Sequence, residues 1–372
     1  MNNLFFGEKL RLARLMAGIT QQELGELVSV SRQFIHQLEA GAKAPAEDTL
    51  LAMAEVLKVT PKFFAKEPQN DVKYEQCHFR KRKTTPVGLA NRVLALGTIF
   101  EHLVDIIEDN LDLPSSDFPD VNTSSLTPEQ IERAAELCRK HWKLGFDSPI
   151  SNMVRVLENA GAVITCFDGV SDKVDALSMN RKRAIIVRNN AKESCCRMRF
   201  DLAHECAHLV LHQGIETGCS KTEREADAFA SAFLFPRTAF MREFPQCIGP
   251  LRIKWEKVFE LKLRWKMSAR AIIYRAHYLG LISSQQYRTA NVHLNKTGQA
   301  KNEELDSLIP MEQPELLSAA IDTLNEHVGI SIYDLARELG ISEEIIAQLT
   351  GFDLSKQANK NTVTNIKFGL LG

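Results

Sequence analysis

The stretch RFDLAHECAHLVLHQ (residues 199–213) decides how this chain is read. Apolar Leu202, Ala203, Leu209 and Val210 predict a buried helix through it. On a helix, residues four apart share a face, so the imidazoles of His204 and His208 can reach one ion. Glu205 stands beside the first histidine, placed to polarise a metal-bound water. This His-Glu-x-x-His spacing suits Zn²⁺ and peptide hydrolysis, with the glutamate as general base.

A catalytic zinc needs a third protein ligand. His212 continues the spacing, but its Cα lies about 12 Å from that of His204 along the axis, too far to share one ion. It is expected to hydrogen-bond at the helix end instead. Glu223, in KTEREADAFASAFLFP (221–236), opens a second amphipathic helix and is the candidate. Asp227 shares its face and would orient a ligand histidine. Glu225 is the alternative third ligand, although it points about 200° around the helix from Glu223. Cys219 is another, as an inhibitory thiolate. Acids in a first helical turn are also favourable with no metal at all.

The rest of the chain bounds the answer. Its 372 residues predict two or three domains. A hydrophobic share of 44% and a charged share of 25% are ordinary for globular proteins and exclude a disordered or fibrous chain. The formal net charge of -1 provides no global basic field, so a DNA-binding surface must be local. No apolar run of about 18 residues and no signal-peptide pattern is seen, so a cytoplasmic protein without a membrane partner is expected. The 8 cysteines form no C-x-x-C pair, which argues against a zinc knuckle or redox dithiol. The vicinal Cys195 and Cys196 are expected to be buried small hydrophobes.

Residues 1–66 read as short helices broken at Gly18, Gly41 and Pro45, and 67–90 as a basic linker with the run Arg80-Lys81-Arg82-Lys83. From 91 to 290, with a core at 130–290, amphipathic helices surround strands in AVITCFD (162–168), DALSM (175–179) and AIIVRN (184–189). AIIVRN is expected to offer an edge to an extended substrate. Residues 291–372 form a C-terminal helical region of no assigned role. Within it, 331–351 has a helix-turn-helix rhythm, but Glu343 and Glu344 point to protein contact. The fold class expected is α+β, mostly α, with a small sheet.

TQQELGELVSVSRQFIHQLEAG (20–41) carries cap residues Thr20 and Ser31 and a small Gly25 between two short helices, a helix-turn-helix pattern. With its flanking helices it resembles the five-helix Cro/λ-repressor type of DNA-binding domain over about the first 66 residues. Ser29 stands at the turn position where that family usually has Gly. The resemblance implies that Arg32, Gln33, His36 and Gln37 face bases in the major groove and that Gln21 and Lys43 touch phosphates. Residues 1–66 hold eight Lys+Arg against seven Asp+Glu. Tight binding to an operator therefore needs a homodimer or help from Arg80–Lys83.

The order Trp142, VLENAGAVI, strands, RFDLAHECAHLVLH, EREADAFASAFLFP and RWKMSARAIIYRAHYLGLI over about 130–290 resembles the ImmA/IrrE family of zinc peptidases, with a gluzincin-like arrangement. Ala207 replaces the usual Gly before the second histidine. The resemblance implies His204, His208 and Glu223 as zinc ligands and Glu205 as the catalytic residue. The function expected is a DNA-binding transcription regulator whose zinc endopeptidase cuts a partner repressor. The alternatives are a regulator that no longer cleaves, and the peptidase of a toxin–antitoxin or phage-defence system.

Overall fold

A computed structural model describes residues 4–68, 72–73, 77–81, 86–121, 126–167, 174–188, 194–215, 219–250, 252–300, 302–352 and 354. The N-terminal helices are α1 (Gly7–Ala17), α2 (Gln21–Leu27), α3 (Arg32–Glu39), α4 (Glu47–Val56) and α5 (Pro61–Ala65). Strand β1 (Cys77–Lys81) follows, then α6 (Val87–Glu108), α7 (Pro128–His141) and α8 (Met153–Asn159). The strands β2 (Val163–Cys166), β3 (Val174–Asn180) and β4 (Ala184–Arg188) lead into α9 (Cys195–Leu211). Among the described residues the helices that follow are α10 (Ser220–Leu234), α11 (Arg237–Glu243), α12 (Trp255–Trp265), α13 (Ala269–Tyr278), α14 (Ser284–Lys296), α15 (Leu316–Thr323), α16 (Ile332–Leu339) and α17 (Glu343–Thr350).

Local chemistry explains the helix-turn-helix. Thr20 and Glu23 cap α2 reciprocally, and the Ser31 hydroxyl accepts from the Phe34 N–H to start α3. A Cβ at Gly25 would lie 2.7 Å from the Val30 carbonyl oxygen, so only glycine permits this closeness. Ser29 turns the chain with φ +56°, a left-handed strain of about 1 kcal/mol.

The sheet order is β1-β3-β4-β2, with β3 antiparallel to both β1 and β4, and β2 parallel to β4. This corrects two expectations. The described part of AIIVRN, Ala184–Arg188, is an internal strand, buried throughout, and offers no edge. The stretch read as a linker contributes β1, which an alternation as short as Cys77, His78, Phe79 and Arg80 did not announce. Arg82 and Lys83 of the basic run lie outside the described residues.

Because side chains alternate across a strand, the sheet separates two cores. Ile164, Ala184 and Ile186 join the core built from α7 to α14, while Val163, Met179, Ile185 and Val187 join a second core. That second core contains Leu10, Ile35 and Phe63 from the N-terminal helices, Leu96 and Phe100 from α6, and Leu335 and Ile346 from the C-terminal helices. Helix α6 is long and apolar enough by composition to cross a membrane, yet most of that stretch is buried in this core. Arg181, Lys182 and Arg183, between β3 and β4, pair with Glu101, Asp105 and Glu108 and fasten the hairpin to α6.

The C-terminal region is tied to both cores. Buried Glu312 pairs with the buried Arg199 of α9 and accepts the N–H groups of Met153 and Val154 at the start of α8. The protein contact expected of 331–351 is made within the chain. Thr60 N–H donates to the Gly340 carbonyl at 2.8 Å, Ser342 N–H to that of Lys58 at 2.9 Å, and Lys58 meets Glu344.

Candidate metal centre and DNA-reading face

Helix α9 presents His204 and His208 on one buried face, each imidazole 1% exposed. Opposite them, Glu223 projects from the first turn of α10. Its carboxylate oxygens lie 3.5 Å from His204 Nε2 and 3.6 Å from His208 Nε2, and the two Nε2 atoms are 3.1 Å apart. Bonds near 2.1 Å around a tetrahedral ion put neighbouring donors about 3.4 Å apart, so these three match one face of a zinc tetrahedron. Among the described residues they are the group able to hold a metal ion.

Proton bookkeeping agrees with a cation between them. Asp227 Oδ1 lies 2.8 Å from His204 Nδ1, and a carboxylate only accepts, so Nδ1 carries the hydrogen and, in the neutral imidazole a metal requires, Nε2 keeps its lone pair. Around His208 the chain is longer. Glu225 Oε2 lies 3.1 Å from His212 Nε2, and His212 Nδ1 lies 2.9 Å from His208 Nδ1. Burial pulls the His212 pKa below its ordinary value, against the opposing pull of Glu225. A neutral His212 donating to Glu225 must accept from His208, which again leaves a lone pair on His208 Nε2. Two lone pairs directed at one point from 3.1 Å apart can both be satisfied by a single cation between them. The donor set therefore fits Zn²⁺.

Glu205 is fully buried, and its Oε2 accepts a 2.5 Å hydrogen bond from the Ser178 hydroxyl of β3. Glu223 and Asp227 keep 24% and 32% side-chain exposure, so solvent approaches from the α10 side. Cys219 is exposed at the start of α10, its thiol pKa lowered by the Thr222 hydroxyl, and is not among the converging donors. Cys195 and Cys196 are buried, and desolvation pushes the Cys196 thiol up to about 12.

Sequence reasoning placed His204, Glu205, His208, Glu223 and Asp227 where the structure brings them together. It missed Ser178, a single polar residue in DALSM, and the pairing of His212 with Glu225. Spacing argued against His212 as a ligand and left Glu225 as the alternative to Glu223, but could not say that each satisfies the other.

On the N-terminal helices, Arg32, Gln33, His36 and Lys43 are exposed and Gln37 is half-buried. Lys43 Nζ sits 5.6 Å from the Phe34 ring centroid. Gln21 departs from expectation. Its amide donates to Glu39 Oε2 at 2.6 Å, beside the Arg14–Glu39 ion pair, because that buried carboxylate needs several donors.

Comparison with known families matches this geometry. Residues 157–277 match the peptidase family model described as the IrrE N-terminal-like domain, and residues 10–64 match a helix-turn-helix model. The chain thus joins an N-terminal helix-turn-helix of the DNA-binding regulator type to an ImmA/IrrE-like, metallopeptidase-type domain. No curated protein matches it significantly.

Proposed function

We propose that this chain is a cytoplasmic DNA-binding regulator, with residues 1–66 reading an operator and a gluzincin-like zinc endopeptidase in 91–290 cutting a partner repressor. The observation that carries the reading is the convergence of His204, His208 and Glu223 within 4.8 Å of one another, with buried Glu205 adjacent. Those three residues would hold Zn²⁺, which when bound polarises a scissile carbonyl and acidifies a water.

The chain's own residues do the rest. Glu205 accepts the proton from the attacking water and returns it to the leaving amine. The Ser178 hydroxyl holds one oxygen of Glu205, which orients the other. Asp227 and the His212–Glu225 pair fix the tautomers of His204 and His208, so that both Nε2 atoms face Glu223. Arg32, Gln33, His36 and Gln37 face bases, and Lys43 a phosphate.

The test compares the zinc-loaded chain with zinc-loaded Glu205→Gln in lysate of its host. Glu205→Gln keeps shape and metal but lacks the base, so cleavage should fall by about 10²–10⁴-fold. New N-termini produced by the unchanged chain, absent with Glu205→Gln and abolished by a chelator, are expected. Identical products from both zinc-loaded proteins would overturn the proteolytic reading.

A further inference from the structure

Strand β3 carries Ser178, whose hydroxyl holds the buried Glu205 carboxylate. The neighbour of β3 on its outer side is β1, paired antiparallel with Cys77 opposite Met179, His78 opposite Ser178 and Phe79 opposite Leu177. The ladder is short and its register slips between Phe79 and Lys81. Paired strands lie about 4.8 Å apart, so the backbone of His78 passes within about 10 Å of the Glu205 carboxylate. An extended chain thus already runs alongside the metal centre, and it comes from the segment between α5 and α6. Every other side of β3 is occupied: β4 pairs its inner edge, α9 covers the Ser178 face, and Met179 enters the second core. A second extended chain could reach the centre by backbone pairing only at the position β1 holds.

We propose that this outer edge of β3 is the substrate-binding edge, and that β1 is its resident occupant, a stand-in for the extended segment of a partner protein. The inference rests on the peptidase reading of the metal centre. Backbone pairing supplies general affinity for an extended chain, and the site takes it antiparallel to β3. The resident sequence, Cys-His-Phe-Arg-Lys, gives the substrate class: an extended, basic segment with an aromatic residue. Cleavage then requires β1 to leave, and β1 follows the N-terminal helices in the chain, with eleven residues between it and α5.

The probe is a fluorescent peptide of residues 75–83 carrying Cys77→Ser, so that no thiol binds zinc. It is offered to two zinc-loaded full chains, both Glu205→Gln. One is otherwise unchanged, and in the other residues 75–83 are replaced by Gly and Ser at equal length. A tethered strand competes at an effective concentration near millimolar, so the unchanged chain should bind the peptide at least about tenfold more weakly than the replaced one. Peptide binding should also slow hydrogen exchange of the β3 amides. With Glu205 restored, the replaced chain should cleave casein at least tenfold faster than the unchanged chain.

Peptide binding without any cleavage would support the edge and refute the peptidase reading. Cleavage at an unaltered rate with no peptide binding would overturn this inference and leave the peptidase standing. Should the replaced chain fail to hold zinc, His78→Pro provides the second variant. Peptide binding by that variant supports displacement. Loss of zinc in both would show that β1 is structural and overturn the proposal.

Discussion

Glu225 is two residues from a proposed ligand, touches no proposed ligand itself, and should still control zinc affinity. It acts through His212, whose Nε2–H it accepts at 3.1 Å and whose Nδ1 in turn lies 2.9 Å from His208 Nδ1. Replacing Glu225 by Leu removes the acceptor while keeping an apolar body of similar length. His212 is then free to place its hydrogen on Nδ1, facing the hydrogen of His208. His208 must rotate or surrender that hydrogen, and either change turns the Nε2 lone pair away from Glu223 or weakens it. Loss of such an orienting partner typically lowers metal affinity by about 10–100-fold, equal to roughly 1.4–2.7 kcal/mol. The assay is competition for Zn²⁺ against a chromophoric chelator, with thermal melting as a check on folding. Glu225→Gln keeps an acceptor oxygen for His212 and should stay within a few fold of the unchanged chain. His212→Ala should resemble Glu225→Leu, which reverses the expectation from spacing that His212 is a bystander. Glu225→Leu with unchanged zinc affinity and an intact fold would refute the orienting chain.

Other changes should be as readable. Arg32→Ala should relax base preference at one operator position, whereas Lys43→Ala should weaken all duplexes alike and lower the salt slope by about one, as measured by titration at several salt concentrations. Glu312→Ala leaves the fully buried Arg199 without its carboxylate and should destabilise the chain by about 3–5 kcal/mol in denaturant unfolding. His102, on α6, has its pKa lowered to about 4 by burial and then by Lys9, with Asp105 opposing and Arg181 and Lys182 adding to the fall. A depressed folded pKa means stability is intact above about pH 6.5 and declines as pH falls toward 4, by at most about 3 kcal/mol. Melting of His102→Gln should lack that part of the acid loss.

The parts of this molecule legible in the sequence are those set by local periodicity. Residues four apart on one helix bring His204 and His208 together. Caps at Thr20 and Ser31 mark α2 and α3, and alternation marks β2 to β4. What stayed illegible depends on contacts distant in sequence. Ser178 meets Glu205 because β3 lies under α9, and no spacing rule carries that. Glu312 lies more than a hundred residues beyond Arg199, in a region without a motif. Strand β1 alternates only at Cys77 and Phe79, too briefly to mark a strand, and its pairing with β3 joins segments about a hundred residues apart.

The sheet explains why the terminal regions cannot be treated as appendages. Adjacent residues of β3 serve opposite cores: Ser178 faces Glu205, and Met179 packs against α6 near Gly97, where an added Cβ would come within 3.3 Å of its sulfur. The second core draws on the N-terminal helices as well as on α6 and α15 to α17. Thr165 of β2 donates its hydroxyl to the Leu349 carbonyl, so the far edge of the sheet also rests on α17. A truncation after residue 290 would remove Glu312 from Arg199, on the very helix that carries His204 and His208, and strip α15 to α17 from β2. Since a buried, unpaired guanidinium costs several kcal/mol, the proposed metal centre depends on residues far outside the segment that the family model matches.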